Sequence, residues 1–572
     1  FQAEDGIRDV ERSRGLGDVY KRQLEQEAIQ NNSKYANIEP SIRVFAGSRT
    51  DDGMDYKTIG EPKSVSTPMG NSKIFEFTGR LENFPVPMGS NDVSGELANI
   101  LTLGLWNNHL VKESGLKGPP LLIKSVEFEA PYFPEWPPQS YSKIFFDSPN
   151  KGNPETYAQE VVSHFMQRAF RRPLNPVELN RYMDFWRNIK DDFEDFEDSI
   201  KEVLIAVLCS PNFIYLSESI SPDLEQTEDE FYLASQLSYF LWNSPPDEIL
   251  TELASSGDLY DELPEQIERM INNPKIENLI QSFAYEWLRL DRHKNMDVNV
   301  ERYEDYTRFV KEDMLKETFY FISHILKKNL SVMNFIDSDF AMLNQNLAEF
   351  YGIEGVKGDW FRPVSLNQQH RRGGLLSQGS FLTGHSDGVQ AHTIKRAVWL
   401  KEKILGDHPP PPPPNVPELD PDTPGFENLT LKEQLFLHRN KVSCMDCHQK
   451  IDPFGVVFEN YDATGRYHLD LNGKPIDSKS IFPDGTEVVG IDGIKDYILR
   501  LKKKDFTKAL VENLYAYALG RDVGFEDEQE INNIVDEVAD NDYRFQRIIE
   551  QIVISPAFYK KELSWLDKIV GR

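Results

Sequence analysis

Cys444-Met445-Asp446-Cys447-His448 is the stretch whose residue types and spacing carry the most chemistry. It is a C-x-x-C-H motif, the attachment signature of c-type haem. Two thiols separated by two residues can each add to a haem vinyl group. The histidine that follows can reach the iron from the same turn. The chain has three cysteines in 572 residues, and two of them fall at this spacing. Two other chemistries use a C-x-x-C pair. A four-ligand zinc site needs two further ligands, for which His438 and His468 are at hand, but neither gives a recognised zinc spacing. A redox dithiol is expected in a βαβ context, whereas the flanks here read as helix and loop.

If His448 is the proximal iron ligand, the sixth position decides what the site does. A Met or His there gives an electron-transfer centre, and an open position permits peroxide or other small-molecule chemistry. His385, His392, His468 and Met342 are the candidates. His385 and His392 lie in a polar loop ahead of a helical stretch. A backbone carbonyl within 451–453 is the expected partner for the other ring nitrogen of His448. No catalytic residue beyond these is assigned. G-x-S-x-G, Walker A and H-E-x-x-H patterns are lacking. Asp470-Leu471-Asn472-Gly473 begins like a calcium loop, but its twelfth position is Ile481 rather than Glu.

The elements around the motif follow from composition and periodicity. The formal charge of −30 argues against a nucleic-acid partner, because phosphate binding needs clustered Lys and Arg. No apolar run reaches the roughly 18 residues that cross a bilayer. With Cys444 and Cys447 engaged, Cys209 has no partner for an intrachain disulfide, and it reads as a small buried hydrophobe.

The expected fold is mainly α and multi-domain, with an N-terminal β-sandwich, jelly-roll-like, ahead of helical domains and a c-type haem segment. Residues 1–23 lack apolar periodicity and resemble a translated sequencing adaptor, so they are read as non-native, with the natural N-terminus truncated. Residues 37–150 read as the sandwich, from alternation at Ile42 and Val44 and short runs at 74–77 and 121–128. Trp106, Tyr132 and Trp136 could form a carbohydrate-stacking surface there, or could be packing aromatics. Residues 151–215 form a first helical repeat unit, 216–352 a helical domain and 353–408 a loop and helix region. Apolar spacing of three and four predicts helices within 161–170, 200–208, 232–241, 279–288 and 301–327. Residues 409–425 are a proline-rich spacer whose six consecutive prolines, 409–414, should form stiff polyproline II. The haem segment is 426–490, opened by a helix with Thr430 and Glu433 as a capping box. Residues 491–572 form the second repeat unit. In the gapless match of 155–174 to 504–523, Val162 falls on Val511, Ala169 on Ala518 and Arg172 on Arg521.

Several of these motifs, in this order, carry a family resemblance. They are Ala169-Phe170-Arg171-Arg172-Pro173-Leu174, Leu237-Ser238-Tyr239-Phe240-Leu241-Trp242, Arg371-Arg372-Gly373-Gly374-Leu375-Leu376, the proline tract, the C-x-x-C-H followed by Ile451-Asp452-Pro453-Phe454-Gly455, and Ala518-Leu519-Gly520-Arg521. The array resembles the large planctomycete-type cytochrome c proteins, whose modules mostly carry domain-of-unknown-function names. The resemblance implies an exported, extracytoplasmic c-type haem protein and supplies no substrate; the function expected is electron transfer, with a link to polysaccharide or sugar metabolism. It further implies a redox partner protein, or a cytochrome domain missing from the truncated N-terminus. A haem-dependent oxidoreductase or peroxidase-like enzyme is the alternative. A carbohydrate-binding or structural protein with a zinc or vestigial C-x-x-C-H site is a third reading.

Overall fold

The computed structural model describes residues 40–50, 53–68, 71–80, 84, 100–107, 121–130, 132–133, 135–216, 226–410, 432–433, 442–471 and 473–559. The adaptor-like segment, most of the proline spacer and most of the expected 430–440 helix lie outside the described residues. The chain divides into two units. One gathers 1–132 with 343–349 and 353–361, and the other holds the rest.

The first unit is built on a three-stranded antiparallel sheet in the order β2-β1-β3, formed by β1 (Ser41–Thr50), β2 (Gly53–Ser64) and β3 (Leu101–Asn107). Phe45 of β1 pairs with Gly104 of β3, and a Cβ on Gly104 would come within 2.1 Å of the Phe45 ring. The missing side chain lets the ring lie across the neighbouring strand, where it meets Trp106 at 4.5 Å and Tyr56 at 5.4 Å. Pro62 falls on β2, an edge strand, where a missing N–H costs no ladder bond. N-terminal strands followed by helical domains are thus the architecture. Two of the expected strands are corrected, because residues 74–77 and 121–128 run without strand pairing. Ile74, Val126 and Phe128 are exposed, so these short apolar runs have no buried face to hold them against a neighbour.

The second unit is helical and has two apolar cores among the described residues. The smaller gathers Tyr157, Val162, Met166, Met183, Trp186, Ile200 and Val203 from α1 (Pro154–Phe170), α2 (Pro176–Ile189) and α3 (Phe196–Leu208). The larger runs from Phe231 to Phe558 and takes in α4 (Gln226–Trp242), α5 (Ile276–Trp287) and α6 (Arg308–Lys327). The expected start near 301 moves to Arg308, because Thr307 caps the helix by accepting from Val310 N. The turns at Gly473 and Gly485 are present, the second closing a hairpin of Lys479–Ile481 on Glu487–Val489.

The two similar sequence units have the same local construction. Helix α1 ends at Arg171 in the left-handed region (φ 58°), and the helix Lys503–Leu519 ends at Gly520 (φ 63°). The next residue is an arginine in both, forked onto a carboxylate six residues on. Arg172 grips Glu178 at 2.8 and 2.9 Å, and Arg521 grips Asp527 at 2.6 and 2.8 Å. Each carboxylate also accepts from a backbone N–H three residues before it, Asn175 or Gly524. A left-handed stop, an arginine fork and a capped second helix therefore recur 349 residues apart, the offset of the sequence match.

Candidate haem-attachment site

The C-x-x-C-H lies on the helix Val442–Val456. The spacing of Cys444, Cys447 and His448, i, i+3 and i+4, places all three on one helix face. Of the two cysteines only the helical backbone is among what is described. Asp452 follows His448 by four residues and is fully buried. The His448 ring is largely covered, and its Nδ1–H donates to Asp452 Oδ1 at 2.8 Å. The expected backbone acceptor is thereby replaced by a side-chain carboxylate. The i+4 spacing on a helix was the available signal.

The far end of this helix is fixed by close packing. Pro453 sits inside it, and a Cβ on Gly455 would come within 2.2 Å of the Thr393 carbonyl oxygen. Phe454 packs on Phe482 at 4.2 Å, and Lys401 Nζ lies 4.7 Å from the Phe454 ring centre. Beyond the helix, buried Arg396 donates to the carbonyls of Leu382, Phe458, Tyr461 and Asp462 at 2.7 to 3.3 Å. Its burial lowers its pKa to about 10. Arg372 donates to Ser377 O and Gly465 O, both at 2.6 Å, and its guanidinium stacks 3.3 Å over Tyr351. Tyr351 in turn donates to buried Glu317 at 2.8 Å, and desolvation raises that carboxyl to about 7. The glycines of the Arg-Arg-Gly-Gly stretch serve close approach. A Cβ on Gly373 or Gly374 would strike the Ser338 or Ile336 carbonyl at 2.2 or 2.4 Å.

The four candidates for a sixth ligand occupy different places. His385 is buried between Phe381 and Trp399, with Nδ1 at 3.0 Å from Phe381 O, and desolvation lowers its pKa to about 3. His392 caps the helix Thr393–Trp399 by accepting from Lys395 N at 3.3 Å, and desolvation lowers its pKa to about 4. This helix is the one that meets Gly455, so His392 is next in sequence to the contact with the motif helix. His468 Nε2–H donates to Asp462 Oδ2 at 2.9 Å, a bond that raises the His468 pKa. Met342 is buried in the larger core. Trp106 packs with Phe45 and Tyr56 in the sheet, whereas Tyr132 and Trp136 are exposed.

Sequence reading missed the Arg396 and Arg372 clamps and Glu459. Glu459 is 8% exposed, its Oε1 has no hydrogen-bond partner among the described residues, and desolvation raises its pKa to about 8. Among the described residues no helix is long and apolar enough to cross a membrane.

The donor set fits a c-type haem. A histidine whose Nδ1 is held by an acceptor presents Nε2 as the nitrogen with the lone pair, which is how iron-ligating histidines are oriented.

Four domain families match the chain, each described as a protein of unknown function. They are DUF1595 over residues 157–218, DUF1592 over 229–353, DUF1588 over 372–470 and DUF1585 over 484–558. The DUF1588 family bears the cytochrome-like label PSCyt3, and its stretch runs from Arg372 past the C-x-x-C-H to Asp470. No curated protein and no solved structure matches. The chain thus carries matches to four domains of unknown function, in the order DUF1595, DUF1592, DUF1588 and DUF1585.

Proposed function

We propose that the chain is an exported c-type haem protein that transfers electrons. The observation that carries this reading is the helical Cys444-x-x-Cys447-His448 face with the His448 ring held through Nδ1 by buried Asp452. The thiols of Cys444 and Cys447 would each add across a haem vinyl group, forming one C–S bond with no leaving group. His448 would bind the iron through Nε2. When bound, haem supplies a one-electron Fe(III)/Fe(II) couple. The Gly455 contact packs the motif helix on the Thr393 backbone, and the Arg396 clamp holds the segment 458–462 just after it. Close packing of this kind suits electron transfer, in which the ligand set should change little between oxidation states. The cytochrome-like label of the DUF1588 match supports the same reading.

Absorption spectroscopy of full-length protein matured with the c-type haem machinery tests it. A six-coordinate low-spin spectrum, unchanged by peroxide, is expected. A high-spin spectrum that changes with peroxide would favour the peroxidase-like alternative. Absence of covalent haem would leave the zinc or vestigial reading.

A further inference from the structure

The geometry points to Asp452 as a positioning residue that sets the reduction potential of the site. Its carboxylate holds the His448 ring through Nδ1 and makes that ring a stronger donor to iron, which lowers the midpoint potential. The inference rests on the reading of His448 as the proximal ligand.

Three observations support it. The acceptor is a carboxylate at 2.8 Å, not the peptide carbonyl that the sequence suggests. A carboxylate brings a full negative charge to the hydrogen bond, and charge-assisted bonds are about twice as strong as neutral ones. Asp452 has no solvent exposure, so water screens that charge little. Finally, the acceptor cannot easily move away. It sits one residue before Pro453 and three before Gly455, which is wedged against the Thr393 backbone. A helix end without that wedge could rotate and let Nδ1 find water instead.

The physical consequence follows from ligand basicity. An imidazole whose N–H is polarised toward an anion carries more electron density on Nε2. A stronger donor stabilises the more positive oxidation state, so Fe(III) gains over Fe(II). A bound haem would supply a one-electron couple, with the electron coming from a redox partner protein. No bond breaks, and the Nδ1 proton stays between the ring and Asp452. The residue acts only through His448, so its effect should appear in the potential and not in haem attachment, which depends on the two thiols.

The test compares wild-type holoprotein with D452N, a substitution of nearly equal shape that keeps an oxygen acceptor and removes the charge. Haem staining on a denaturing gel is expected to be equal in the two. The midpoint potential is expected to rise in D452N by at least the equivalent of a tenfold change in the reduced-to-oxidised ratio, about 59 mV for one electron. Equal staining with an unchanged potential would overturn the role of Asp452 and leave the haem reading intact. A wild-type protein without covalent haem would overturn the haem reading and this inference with it. Should D452N fail to fold, wild-type holoprotein decides the matter by nitrogen-resolved NMR. A slowly exchanging Nδ1 proton on His448 is expected, and a ring lacking that proton would overturn the assignment.

Discussion

His448 and Asp452 sit four residues apart on one helix, so their hydrogen bond is a local consequence of the helical repeat. Glu459, eleven residues on from His448, is a different kind of buried acid, because it lacks a compensating partner for one oxygen among the described residues. Lys432, Glu433 and Asp477 are the charged groups around it, and they do not offset desolvation. Unfolded, its carboxyl loses the proton near 4.5, and folded it keeps it to about 8. Between those values the folded state holds the extra proton, so this group's stabilisation is complete below pH 4.5 and is lost as pH rises through 8. E459Q should therefore gain in unfolding temperature relative to wild type as pH is raised from about 5 to 8. Parallel curves across that range would contradict the burial of a protonated Glu459. At this scale the C-x-x-C-H pattern stands out in the sequence because it lies within five consecutive residues. Glu459 was not, since nothing in its neighbours signals that the side chain turns inward.

The helices were legible from spacings of three and four because each buries a stripe against a core, as α1 does with Tyr157, Val161, Val162 and Met166. The Arg172–Glu178 and Arg521–Asp527 forks were half legible. The matched arginines stand out in the sequence, but their partners differ in type and emerge only with the turn geometry. The strands fared worse, because residues 74–77 and 121–128 have strand-like composition without a buried face. The contact between the motif helix and the helix Thr393–Trp399 gives a sharp element-scale prediction. G455A places a methyl carbon within 2.2 Å of the Thr393 carbonyl oxygen, so the two helices must separate. Overpacking of this kind costs about 1–3 kcal/mol, readable as a lowered denaturant midpoint. An unchanged midpoint would mean that the helices do not meet there.

Across the whole molecule, the two units differ in how they are held together. Among the described residues, the first rests on a three-stranded sheet with an aromatic cluster, and the second on helical cores, with buried arginine clamps on backbone carbonyls beside the larger one. The clamps lie within the 372–470 stretch, the domain that holds the motif. The motif helix also meets Thr393, a residue distant in sequence, a contact that no local pattern could have shown. That stretch also carries an acid-sensitive cap. His392 is held neutral to about pH 4 but protonates near 6.5 once unfolded. Its contribution is present above 6.5 and is lost as pH falls toward 4. H392N keeps a capping acceptor without the titration, so its stability should fall less steeply than wild type over that range. An equal slope in thermal unfolding would contradict this. The central proposal is covalent haem attachment by Cys444 and Cys447. Its most direct measurement is haem staining on a denaturing gel of full-length protein matured with the c-type machinery, with C444A/C447A alongside. A stained wild-type band and an unstained variant band are expected. A wild-type band without haem, or a variant band that keeps it, would overturn covalent attachment at these two cysteines.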